Sequence, residues 1–194
     1  VDLTPVTDAA LVPRTIARVL QIPEMPGVDA LTSLRAFLAE KQALLLLDNV
    51  EHVLPAGAAV SELLTACDGL KVLATSRTPL HLVAEHVYPV PPLDLPDVCA
   101  LPPLPALARV EAVQLFVERT VAVMPHYRIS SEDAPAVAGI CARLDGLPLA
   151  IELAAARGRL LAPPALLQEL QRVLPTLTGG FYDLPARHQT LRDT

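Results

Sequence analysis

Aromatic residues are scarce: the 194-residue sequence has no tryptophan, three phenylalanines and three tyrosines. Its core must therefore be assembled from leucine, valine and alanine, and the 52% apolar content is enough to build one. Lysine is scarcer still. It occurs only at Lys41 and Lys71, and neither follows a glycine. A Gly-x-x-x-x-Gly-Lys-Ser/Thr loop is therefore absent, and with it the nest of backbone N–H groups that cradles phosphates. No run of Lys or Arg occurs and the net charge is −6, which argues against a nucleic-acid groove or an anionic membrane surface on this segment. No apolar run approaches the roughly 20 residues of a membrane helix. Cys67, Cys99 and Cys141 are far apart and form no Cys-x-x-Cys pair, which points to ordinary thiols in a reducing cytoplasm. His81, Glu85 and His86 lack the His-Glu-x-x-His spacing of a zinc helix. No cysteine has a local partner for nucleophilic work, so a free-standing hydrolase lacks its nucleophile–base pair. The sequence opens at Val1 without a methionine and stops at Thr194, so both ends read as cut, and a piece of a longer protein is expected.

What the sequence does contain centres on Leu44-Leu45-Leu46-Leu47-Asp48-Asn49. A short continuous apolar run suits a strand buried on both faces, as in a parallel sheet covered by helices. A carboxylate at its C-terminal end lies where open α/β sheets bind ligands. About 25 residues on, Lys71-Val72-Leu73-Ala74-Thr75-Ser76-Arg77 repeats the arrangement, ending in hydroxyls and a guanidinium. Asp48 could hold Mg²⁺ through water against a nucleotide's phosphates, or Asp48 or Asn49 could cap the helix containing Val53. Arg77 could contact a terminal phosphate, or be a solvated arginine beside a turn. Glu51 and His52 could activate water, or form the exposed start of a helix. Gly146-Leu147-Pro148-Leu149-Ala150 allows a close backbone approach and a fixed helix start. It reads either as an apolar face for an adenine or as a plain helix–helix turn.

Periodicity fills in the rest. Val1–Leu3 reads as the end of a strand. Thr7 or Asp8 caps a helix through about Leu20, with Pro13 in its first turn. A second helix runs from about Asp29 to Lys41, followed by the Leu44–Asp48 strand. A third runs from Val53 to about Cys67, before a strand at Val72–Thr75. Val87–Val90 reads as a further short strand, at an edge because of Pro89. Alternation of this kind predicts a parallel α/β sheet with right-handed crossovers. The proline-dense stretch Pro91–Pro105 reads as a linker or long surface loop. Beyond it the pattern is all-helical: Arg109–Met124, Glu132–Leu144 capped by Ser131, Leu149 to about Leu160, and a helix starting at Pro163-Pro164. A turn is expected at Thr178-Gly179-Gly180.

These residues carry a resemblance. Leu44–Asp48 resembles a Walker B strand, Ala74-Thr75-Ser76-Arg77 a sensor strand, and Asp145–Ala150 the GLPLA motif. In this order they resemble the NB-ARC-type ATPase domain of the STAND class of P-loop NTPases. The flanking phrases LDNVEHV, LATSRTPL and RLDGLPLAIELAAAR resemble bacterial multidomain transcriptional regulators of the LuxR-like or SARP-like sort. The resemblance implies an α/β fold with a partial P-loop-NTPase-like parallel sheet and flanking helices, followed by an all-helical subdomain. It divides the chain into a partial nucleotide-binding subdomain (1–90), a proline-rich linker (91–108), a small helical subdomain (109–180) and a lead-in to a winged-helix subdomain (181–194). It implies a switch in which ADP holds a closed form and ATP, with Mg²⁺, an open, self-associating one. Asp48 would assist Mg²⁺, with Glu51 as a further catalytic candidate. Thr75, Ser76 and Arg77 would face the γ-phosphate, and Gly146, Leu147 and Pro148 would border the adenine or ribose. Asn49 stands where many relatives carry a second acid, and an amide is no general base, so at most slow hydrolysis is expected of the parent. With the phosphate loop missing, this piece alone is expected to bind nucleotide feebly or not at all. The phosphate-loop strand, absent here, is expected to lie between Leu44–Asp48 and Val72–Ser76. The competing expectation is a nucleotide-independent scaffold or interaction module on the same fold. Neither reading has this segment contact DNA or a membrane.

Overall fold

The computed structural model describes residues 1–172, which fold as two units, 1–89 and 90–172. The expected turn at Thr178–Gly180 and the lead-in at 181–194 lie outside the described residues. The architecture mixes helices with a small parallel sheet.

In the first unit, Asp8 caps a short 3-10 turn (Ala9–Leu11) by accepting from the Ala10 N–H. This turn leads into α1 (Val12–Val19), with Pro13 in its first turn. Asp29 caps α2 (Ala30–Leu38), accepting from both the backbone N–H and the hydroxyl of Thr32. Strand β1 (Ala43–Leu47) follows, then a 3-10 turn at Leu54–Ala56, α3 (Gly57–Ala66) and β2 (Leu70–Ala74). The two strands pair in parallel, with Ala43 opposite Leu70 and Leu47 opposite Ala74. The direct ladder corrects the expectation of a strand between them: an unbroken register from Ala43 to Leu47 leaves no room for one. On β1's other side, Val1–Leu3 runs parallel to it. The Asp48 N–H donates to the Val1 carbonyl (2.9 Å) and the Leu3 N–H to the Asp48 carbonyl (3.0 Å).

All three helices pack on one face of this sheet. Leu45, Leu47 and Leu70 join Leu3, Ile16, Leu34, Leu38, Val60 and Leu63 in one core. Each such leucine contributes about 1.5–3 kcal/mol by leaving water. The expected strand at Val87–Val90 does not form. Pro89 has no N–H to donate, and Val87 and Tyr88 stay exposed.

The second unit is helical: α4 (Leu104–Leu107), α5 (Glu111–Val123), α6 (Ala134–Arg143), α7 (Pro148–Ala156) and α8 (Pro163–Arg172). Phe116 is buried at its centre with Val113, Val137, Ile140, Ile151 and Leu166. Leu93, Leu101 and Leu104 of the proline-rich stretch pack onto this core. The expected cap at Ser131 is replaced. The Ser130 hydroxyl accepts from the Asp133 N–H (3.1 Å), and α6 starts at Ala134.

Candidate functional site

Parallel pairing brings the two strand ends together. The Thr75 hydroxyl donates to Asp48 Oδ1 at 2.5 Å and accepts from the Asn49 N–H at 2.9 Å. The ladder continues past the strands, with the Thr75 N–H donating to the Leu47 carbonyl and the Val50 N–H to the Thr75 carbonyl. Asn49 takes a left-handed backbone, φ +66°, a conformation its short polar side chain tolerates better than most. Its amide nitrogen donates to His52 Nδ1 (3.1 Å), while His52 Nε2 lies 2.9 Å from the Leu3 carbonyl. Since Nδ1 accepts, the ring proton sits on Nε2 and donates to Leu3. Asn49 and His52 thus tie the Val1–Leu3 segment to the end of β1.

Asp48 is exposed, and its Oδ2 carries no hydrogen bond among the described residues. It does not cap the helix after it. The N-cap positions of the 3-10 turn and of α3 are Val53 and Ala56, and neither makes a side-chain cap bond. Arg77 is ion-paired: its Nε donates to Glu51 Oε1 at 3.1 Å. The Glu51 side chain is only 14% exposed while that of Arg77 is 72% exposed, so the guanidinium's outer edge faces solvent. Ser76 turns back locally, its hydroxyl donating to the Thr78 carbonyl at 2.6 Å. Two pairs, Asp48–Thr75 and Glu51–Arg77, therefore each bridge the two strand ends. The first pair leaves an open carboxylate oxygen, which suits a hydrated cation, and the second an exposed guanidinium edge, which suits an anion. No group of three or more His, Cys, Asp or Glu able to hold a metal ion occurs among the described residues.

Gly146, Leu147 and Pro148 belong to the second unit. Asp145 and Gly146 are both left-handed (φ +52° and +68°). The Gly146 carbonyl accepts from the Leu93 N–H at 3.0 Å. A β-carbon on Gly146 would sit 2.4 Å from the Leu93 carbonyl oxygen, so only glycine fits. Pro148 starts α7, and Leu147 and Pro148 are exposed while Ala150 is buried. The motif thus presents a small apolar surface to solvent.

Local sequence pattern missed the Glu51–Arg77 ion pair and the Asn49–His52–Leu3 chain. The signals were thin: an asparagine after a strand, and a histidine three residues later. A groove of about 540 Å³ in the first unit, lined by Arg14, Arg18, Ile22, Glu24, Met25 and Val28 among others, contains none of the candidate residues.

No protein-family model and no solved structure matches this chain. Among curated proteins it is similar to "Putative HTH-type transcriptional regulator Rv0890c" of Mycobacterium tuberculosis, 42% identical over 193 residues. That match covers 99% of this chain and 20% of the relative. The Mycobacterium bovis protein "Putative HTH-type transcriptional regulator Mb0914c" matches to the same extent. "Uncharacterized protein Rv0894" of Mycobacterium tuberculosis is 36% identical over 191 residues, or 98% of this chain and 45% of the relative. The chain therefore spans between a fifth and under half of the length of these relatives.

Proposed function

We propose that this chain is part of an ATP/ADP-controlled switch domain, of the NB-ARC kind within the P-loop NTPases, in a bacterial multidomain transcriptional regulator. The observation that carries the reading is the Thr75 bridge to Asp48. It fixes an acidic and a cationic strand end side by side at the C-terminal edge of a parallel sheet, where α/β proteins bind ligands. The relatives named as HTH-type transcriptional regulators support the regulatory half of the reading.

In this reading Asp48 assists Mg²⁺ through water with its open oxygen. Thr75 holds that carboxylate in place, and Ser76 shapes the turn that presents Arg77. Arg77 reports the γ-phosphate: a phosphate at its outer edge competes with Glu51 for the guanidinium, which links nucleotide state to the position of the Ser76–Thr78 turn. Mg²⁺ supplies charge neutralisation of the phosphates. Glu51, tied to Arg77, is a positioning residue rather than a base. Asn49 spends its amide on His52 and activates no water, so slow turnover in the parent follows.

A second reading, a nucleotide-independent scaffold on the same fold, draws on the Glu51–Arg77 ion pair, which satisfies the arginine without any ligand. Calorimetric titration of ATP and ADP with Mg²⁺ separates the two, using this chain and the chain carrying the residues that precede Val1 in its gene. The switch reading expects feeble binding by the first and binding by the second that falls at least tenfold with Asp48→Asn. Absence of binding by both would establish the scaffold, and tight binding by the short chain would contradict the role given to a missing phosphate loop.

A further inference from the structure

The first unit has a groove where α1 hands the chain over to α2. Its volume of about 540 Å³ falls in the range of small-molecule sites, about 300–1,000 Å³. Its apolar side is made by Ala17, Ile22, Met25 and Val28. Ala17 is buried and Ile22 half-buried, while Met25 and Val28 stay 56% and 38% exposed. Its polar side comes from α1. Arg14 and Arg18 stand four residues apart, on one side of the helix, and Gln21 follows at the helix end.

Charge narrows the kind of ligand that fits. Arg14 is engaged by Glu24, to which its Nε and Nη2 donate at 2.7 and 2.8 Å. The Arg18 side chain has no hydrogen bond or ion pair among the described residues. Two guanidiniums against one carboxylate leave the rim with a single positive charge. That matches a monoanion, and Glu24 disfavours a more highly charged one. The apolar side calls for a body that a free inorganic anion lacks.

Gln21 supplies an independent observation. The Ile22 N–H donates to the Ala17 carbonyl (2.9 Å) and the Gln21 N–H to the Arg18 carbonyl (3.1 Å), the pattern of a Schellman turn. Gln21 sits in its left-handed position, φ +57°, where glycine is the favoured residue. A long side chain is kept there against its backbone preference. Its amide lines the groove and has no hydrogen-bond partner among the described residues. Backbone strain of this kind collects where a side chain is used.

We propose that this groove binds a small monocarboxylate with an apolar body. The Arg18 guanidinium and the Gln21 amide donate to the carboxylate. Ile22, Met25 and Val28 cover the body, and the flexible thioether of Met25 adapts to its shape. The site shares no residue with the strand ends and does not depend on nucleotide binding.

Titration of the 194-residue chain with octanoate, followed by amide NMR shifts and calorimetry, tests it. The amides of 17–33 should shift saturably, and octylammonium or inorganic phosphate at the same concentrations should leave them in place. Arg18→Gln should weaken octanoate binding at least fivefold. Gln21→Gly should raise the urea midpoint, because the strain is relieved, and still weaken octanoate binding at least threefold. A purely structural role for Gln21 would give the first change without the second. Asp48→Asn should leave octanoate binding unchanged, which separates this site from the proposed nucleotide site. Absence of saturable shifts would overturn the proposal. So would octylammonium or phosphate binding as tightly as octanoate, or full octanoate affinity in Arg18→Gln or Gln21→Gly.

Discussion

Thr75 is the residue on which the strand-end cluster turns, because one hydroxyl serves two partners. It donates to Asp48 and accepts from the Asn49 N–H. Thr75→Val keeps the β-branched shape and removes both bonds. Partly solvated hydrogen bonds contribute about 0.5–1.5 kcal/mol each, so urea unfolding should show a loss of about 1–2 kcal/mol, with Thr75→Ser retaining most of it. Equal loss in both variants would mean that the methyl group, not the hydroxyl, holds the ends together. The cysteines allow a second residue-scale prediction. Burial pushes the Cys141 thiol up to about 12, and Cys67 is also buried, so a thiol reagent at neutral pH should modify Cys99 alone in the native protein. Mass spectrometry of the labelled peptides would show this, and modification of Cys141 at the rate of Cys99 would contradict its burial. Asp48, Thr75 and Arg77 were legible in the sequence because position at a strand's end is a local signal. The Glu51–Arg77 pair was not. It joins residues 26 apart, and which side chains meet across a parallel pair depends on a register that local pattern does not carry.

Among the elements, the turn between α6 and α7 is the most constrained. Two successive left-handed residues and the Leu93 strand-like contact leave Gly146 no space for a side chain. Gly146→Ala should therefore destabilise the helical unit by about 1–3 kcal/mol, the scale of one strained residue, as read by urea unfolding. Gly139→Ala is the informative control, because the added carbon would meet only the flexible tip of Leu167 and should cost less. A smaller loss at Gly146 than at Gly139 would remove the case for the close approach. The helices were legible wherever caps and periodicity agreed, as at Asp8, Asp29 and Pro148. They were less so at α6, where the pattern pointed to Ser131 but the Ser130 hydroxyl is the one that accepts from the Asp133 N–H. The strand expected at Val87–Val90 failed for a different reason. Its residues have the right composition, but a strand needs a partner edge, and composition says nothing about whether one is within reach.

At the scale of the whole molecule, the two units should lose stability at opposite ends of the pH range. Hydrogen bonds hold three carboxylates of the first unit below their ordinary values: Asp29 through Thr32, Glu24 through Arg14, and Glu85 through the Leu80 N–H. A depressed carboxylate favours the folded state above its unfolded value. That contribution is lost as pH falls from the ordinary values of 4.5 for Glu24 and Glu85 and 3.8 for Asp29 through the folded ones. Glu24 and Asp29 are exposed and Glu85 is half-buried, so the loss is modest, and the Arg14–Glu24 part should shrink further in high salt. In the second unit the signs reverse. Burial raises Cys141 from 9.0 and Tyr127 from 10.0, each to about 12. Their neutral forms favour folding below the unfolded values, and that stability drains away as pH rises from about 9 toward 12. With no tryptophan to report unfolding, circular dichroism melts across the range are the measurement. Glu85→Gln should flatten part of the acid limb and leave the alkaline limb alone, and Cys141→Ala should do the converse. A variant that shifts both limbs equally would show that its group does not titrate as assigned, because a proton taken up at one carboxylate has no means of altering a thiol's ionisation five pH units away.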